Sequence, residues 1–173
     1  MFSKKSLLIV ALLLGHQAIA ADCSTGDDCF AKADAKLIAG EYEAAFSLAK
    51  AGCEQGNADA CAIVGTQYQL GRGVARDIKA SATYLEKSCE LGSADGCAVL
   101  TSAYVNGNQG FAKDYKKALK MATLGCEKEN ALSCMLLGGM QINGWGTEKD
   151  PVAGAANLDK ACALDAQIVC PPC

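Results

Sequence analysis

CEQGNADAC at 53–61, CELGSADGC at 89–97, CEKENALSC at 126–134 and CALDAQIVC at 162–170 each hold two cysteines eight positions apart. They recur every 36 or 37 residues. Self-similarity at a fixed period in this range marks a solenoid, in which each unit buries its apolar face against its neighbours. Aligned on the first cysteine of each pair, Glu41, Asp77, Asp114 and Asp150 stand twelve residues upstream. An Asp there is a good N-cap, because its carboxylate accepts from the orphan N–H groups of the first helical turn. Pro151 follows Asp150 at the one helical position where a missing N–H costs nothing. A helix therefore starts after each acid and runs to its cysteine.

The stretch DIKASATYLEKSCELG at 77–92 shows the pattern in detail. Ile78, Ala82, Leu85 and Cys89 follow helical spacing, leaving Lys79, Glu86, Lys87 and Glu90 for solvent. Gly92 stops this helix and Ser93 caps the next one, which carries Cys97, Leu100 and Tyr104 on one face and ends at Gly107. The matching second helices end at Gly71 and Gly144. The connections GRGVARD, GNQGFAKD and GWGTEKD are glycine-rich, and the middle one is a residue longer. No stretch alternates at period two, so no sheet is expected.

The fold this predicts is all-α: a solenoid of αα-hairpins with repeats at 41–76, 77–113 and 114–149. A capping half-repeat precedes them at 21–40, and a truncated repeat with a tail follows at 150–173. Within each hairpin the first cysteine falls in the last turn of one helix and the second in the first turn of the next. The tight turn between them can bring the Cα atoms within disulfide reach. The expected bridges are Cys53–Cys61, Cys89–Cys97, Cys126–Cys134 and Cys162–Cys170, with Cys23–Cys29 at the front. Chain-entropy reasoning gives about 2.5 kcal/mol for each closed loop of roughly eight residues. Alanine and glycine crowd the helix faces, so each residue buries little area and covalent clips offset the shortfall. Cys173, after Pro171 and Pro172, is left over. It can stay free, pair with Cys23 or Cys29 in place of that bridge, or link two chains into a dimer.

The opening MFSKKSLLIVALLLGHQAIA has the charged start, short apolar run and small-residue end of a signal peptide cut after Ala20. The run is too short to span a bilayer, so no membrane insertion is expected. Asp22 before Cys23 argues against lipidation. Losing Lys4 and Lys5 moves the net charge from −3 to about −5, which disfavours nucleic acid. His16 is the one histidine, so the mature chain would hold none. That excludes His-dependent nucleophile activation and His-ligated zinc. Cysteines eight apart do not have metal-knuckle spacing, and neither metal nor cofactor is expected. Export to the periplasm or the exterior suits so many cysteines, because disulfides persist in oxidising compartments.

The Gly-(Asn/Ser)-Ala-Asp turn between cysteines, followed by Tyr68-x-x-Gly71-x-Gly73-Val74-x-x-Asp77, resembles the Sel-one-like repeat (SLR) of the tetratricopeptide-like superfamily. The paired cysteines are similar to those of its Helicobacter cysteine-rich branch. The third repeat departs, with Gln141 in place of the tyrosine and no valine in GWGTEKD. The resemblance implies a right-handed superhelix with a concave face that binds a protein or peptide, as an adaptor does. It also carries an alternative, a β-lactamase-like enzyme or penicillin-binding protein acting on β-lactams or related cell-wall compounds. One S-x-x-K, Ser47-Leu48-Ala49-Lys50, has the spacing that sets a nucleophile one turn from a lysine base. The partner motifs SDN and KTG are missing, and Ser93-Ala94-Asp95 is the turn between helices. Tyr68, Tyr104 and Trp145 are expected to pack on the core. A binding scaffold is therefore the expected function.

Overall fold

The computed structural model describes residues 23–165, which form eight helices and no strand. They are α1 (Gly26–Ile38), α2 (Tyr42–Glu54), α3 (Ala58–Leu70), α4 (Ile78–Leu91), α5 (Ala94–Asn106), α6 (Tyr115–Glu127), α7 (Ala131–Asn143) and α8 (Pro151–Leu164). The caps explain the boundaries. Asp77, Asp114 and Asp150 accept from first-turn N–H groups of α4, α6 and α8, while Asn57, Ser93 and Asn130 do so for α3, α5 and α7. Gly71, Gly107 and Gly144 close α3, α5 and α7 in the left-handed conformation that glycine adopts without a Cβ penalty. Glu41 departs from its aspartate counterparts. It precedes α2 without capping it, and its longer side chain turns back to Lys36 at 2.6 Å.

The chain zigzags between two layers, α1, α3, α5 and α7 in one and α2, α4, α6 and α8 in the other. Packing is more extensive across the glycine-rich connections, between α1 and α2, α3 and α4, α5 and α6, α7 and α8, than within the cysteine-bearing hairpins. Glycine permits some of that approach. A Cβ on Gly65 would sit 2.7 Å from Leu85 Cγ, and one on Gly138 would sit 2.7 Å from the Gly154 carbonyl. The disulfides thus cross the thinner seams. Cys53–Cys61 joins α2 to α3, Cys89–Cys97 joins α4 to α5, and Cys126–Cys134 joins α6 to α7, with Cα separations of 4.6, 4.6 and 4.5 Å. Cys23–Cys29 ties the entering chain to α1 with a Cα separation of 4.9 Å. The pairing of Cys162 with Cys170, the state of Cys173 and the cleavage after Ala20 fall outside the described residues.

The core is thin, as the alanine content predicts. Ala33, Ala45, Ala49, Ala60, Ala118, Ala122 and Ala161 are buried beside the cystines, while Leu85, Leu100, Met140 and Val64 are the largest apolar side chains that are completely enclosed. Aromatic residues join the layers. Tyr68 of α3 meets Phe46 of α2 edge-on at 5.2 Å and stacks with Tyr84 of α4 at 5.7 Å, remaining half-buried. Tyr104 is buried against Phe111, ring centroids 5.5 Å apart. Phe111 belongs to the longer connection. The extra residue is absorbed at Gln109, whose φ of 54° is left-handed and whose carbonyl accepts from the Arg76 guanidinium.

Candidate binding groove

A groove of about 1040 Å³ runs over the layer of α1, α3, α5 and α7. Local sequence explains how it is lined. Asp59, Ile63 and Thr66 of α3 stand at i, i+4 and i+7, and so share one helix face. Asp95, Val99 and Ser102 repeat the same face on α5. Each aspartate lies two residues before the second cysteine of its pair, and Leu132 is their counterpart on α7. Asp34 and Phe30 extend the lining onto α1.

Asp34, Asp59 and Asp95 are exposed and make no ion pair or hydrogen bond among the described residues. Arg72 is the one cationic side chain among the lining residues, and its guanidinium lies over the Tyr42 ring at 5.4 Å. Two glutamines of α3 reach the groove while being almost wholly buried. The Gln67 amide can donate to the carbonyls of Tyr42 and Arg72, at 3.3 Å each. The Gln69 amide opens on the groove and makes no hydrogen bond among the described residues, although the residue as a whole is only 6 % exposed.

Ser47 and Lys50 lie elsewhere, on α2 and away from the groove lining. The Ser47 hydroxyl donates to the Glu43 carbonyl of its own helix at 3.0 Å, and no hydrogen bond joins it to the exposed Lys50. No group of three metal-ligating side chains comes together among the described residues. Trp145 is 39 % exposed and stacks on Tyr115 at 5.4 Å, so it covers that ring instead of the core itself. It occupies the middle of Gly144-Trp145-Gly146 just as Arg72 occupies the middle of Gly71-Arg72-Gly73. In both corners this residue lies on the tyrosine that opens the even-numbered helix two elements earlier. Reading the cysteines, caps and turns did not reveal the groove. The duplicated Asp-x-x-x-(Ile/Val)-x-x-(Thr/Ser) pattern is the signal that marks it.

The Sel1 repeat family model matches residues 58–93, 97–130 and 131–165, more than half of the chain. Each matched unit pairs an odd-numbered helix with the even-numbered one that follows, so Cys89–Cys97 and Cys126–Cys134 run between successive units. No curated protein matches. Among solved structures, the fold is similar to a Sel1 repeat protein from Oxalobacter formigenes (24 % identity, TM-score 0.61, covering 70 % of this chain and 49 % of that one). It is also similar to c5321, a protective antigen present in uropathogenic Escherichia coli strains and displaying an SLR fold (24 %, TM-score 0.67, covering 80 % and 30 %). A third likeness is to cysteine-rich protein B of Helicobacter pylori (27 %, TM-score 0.51, covering 70 % and 92 %). The chain thus aligns with about half of the first of these proteins and under a third of the second.

Proposed function

Since the chain belongs to the Sel1 repeat family, we propose that it is an exported scaffold whose concave face holds a protein or peptide segment. Sel1 repeats generally mediate protein–protein interaction. The carrying observation is the groove itself. It crosses four helices and offers apolar floor residues beside polar groups unpaired among the described residues. Large surfaces built by stacked repeats suit extended partners. Export is supported by the buried cystines, which need an oxidising compartment, and by the likeness to a cysteine-rich Helicobacter protein. No described helix is long and apolar enough to cross a membrane.

The test is selection of a displayed random-peptide library on the oxidised protein, with Val99→Arg as the counter-target. Selected peptides should bind the parent protein and lose at least tenfold in affinity when Val99 is replaced. Peptides indifferent to Val99→Arg, or no enrichment at all, would overturn the proposal. So would turnover of a chromogenic cephalosporin that Ser47→Ala abolishes.

A further inference from the structure

We propose that the groove selects an extended peptide carrying two basic side chains three residues apart and an apolar side chain three residues beyond. This rests on the peptide-binding reading above and specifies its ligand. Asp59, Asp95 and Leu132 occupy equivalent positions on α3, α5 and α7, each two residues before a cysteine that is pinned in a disulfide. Neighbouring packed helices lie about 8–10 Å apart. A peptide in the extended polyproline II conformation rises about 3.1 Å per residue, so roughly three residues carry it from one helix to the next. With three residues per turn, a peptide in this conformation laid across the layer presents every third side chain to this row. It meets a carboxylate, a second carboxylate and then a leucine.

The charge of the groove lining is unbalanced. Asp34, Asp59 and Asp95 have no cationic partner among the described residues, and Arg72, the single cation of the lining, is engaged with Tyr42. The second observation is independent of charge. The Gln69 side chain is largely buried, yet its amide opens on the groove and makes no hydrogen bond among the described residues. It offers one carbonyl and one NH₂, the complement of the N–H and C=O that an extended peptide presents along its edge. Ile63 and Val99, one turn beyond the two aspartates, supply apolar floor against which the stems of lysine or arginine can lie.

The test uses fluorescein-labelled synthetic peptides and the full oxidised protein, read by anisotropy. A peptide with two lysines and a leucine at three-residue intervals should bind. Its counterpart with glutamates in place of lysines, and an isomer with the lysines adjacent, should each bind at least tenfold more weakly. The double variant Asp59→Asn/Asp95→Asn keeps the shape of these exposed residues and should lose at least tenfold. Gln69→Leu should lose a similar factor without changing the preference for lysine over glutamate. Equal affinity for the lysine and glutamate peptides, or binding unaffected by Asp59→Asn/Asp95→Asn, would overturn the inference. If library peptides that depend on Val99 are neutral or acidic, the ligand chemistry proposed here is wrong while the peptide-binding reading stands.

Discussion

The Lys87 ammonium donates to the carbonyl oxygen of Cys53 at 3.0 Å, and Lys160 does the same to Cys126 at 2.8 Å, in each case 34 residues upstream. Both acceptors lie in the last turn of an even-numbered helix, where carbonyls lack intrahelical partners and the helix dipole favours a cation. Each lysine stands two residues before a cysteine, and it ties its own helix to the preceding even-numbered one. Leu124 has the same place in α6 and packs on the core instead.

Lys87→Met and Lys160→Met are therefore each expected to lower stability by about 1 kcal/mol. The two sites are well separated and share no partner, so the double variant should show nearly the sum. Urea denaturation under oxidising conditions measures it. No loss in either single variant would mean that these bonds are fully exchanged for water.

Two glycines in helices should respond oppositely to alanine. A Cβ on Gly96 of α5 would overlap the Ser88 hydroxyl and lie 2.7 Å from Ser88 Cβ. Ser88 cannot yield easily, being wholly buried with its hydroxyl donating to the Ala58 carbonyl at 2.8 Å. Gly96→Ala should cost about 2 kcal/mol despite its better helix propensity. Gly139 of α7 faces open space, so Gly139→Ala should gain about 0.5–1 kcal/mol. Thermal melts of the two variants should move to opposite sides of the parent.

The cystines differ in exposure, which orders their reduction. Cys53, Cys61, Cys89, Cys97 and Cys134 are fully buried and Cys126 nearly so, whereas Cys23 retains 8 % exposure close to the start of the described chain. Under mild native reduction the Cys23–Cys29 bridge should open first among the four described bridges. Timed alkylation followed by peptide mass spectrometry checks this. Replacing Cys89 and Cys97 by serine should remove about 2.5 kcal/mol.

Tyr104 is held above the ordinary tyrosine range, first by burial and then by the carboxylates of Glu86 and Asp114. Its neutral form is thus favoured in the folded state. The stability this contributes is complete below the unfolded tyrosine pKa of about 10, and it is lost as pH rises through the higher folded value. Alkaline unfolding followed by circular dichroism should shift to higher pH in Tyr104→Phe. An unshifted transition would place the alkaline sensitivity elsewhere.

Much of this architecture is legible because its determinants are local. The cap acids, the stop glycines and the cysteine pairs each act within a turn or two, so Asp77, Gly92 and Cys89–Cys97 carry their meaning in their spacing. Exceptions arise where a side chain has a competing partner. Glu41 turns to Lys36, and Trp145 lies on Tyr115. The groove is less legible, because whether Ile63 or Val99 faces solvent depends on how successive odd-numbered helices splay. The depth of packing between α3 and α4 is equally non-local. It depends on Gly65 meeting Leu85, twenty residues further along the chain.

Bridges that cross the thinner seams would also lower the entropic cost of the recognition proposed above. Asp59 and Asp95 each stand two residues from a cystine sulfur, so the turns that carry them are locked before any ligand arrives. A partner docking across these turns has only its own chain to order. Preorganisation of this kind lets a modest contact area deliver useful affinity. It also implies that a reduced sample, even one still helical, would bind the same sequence more weakly.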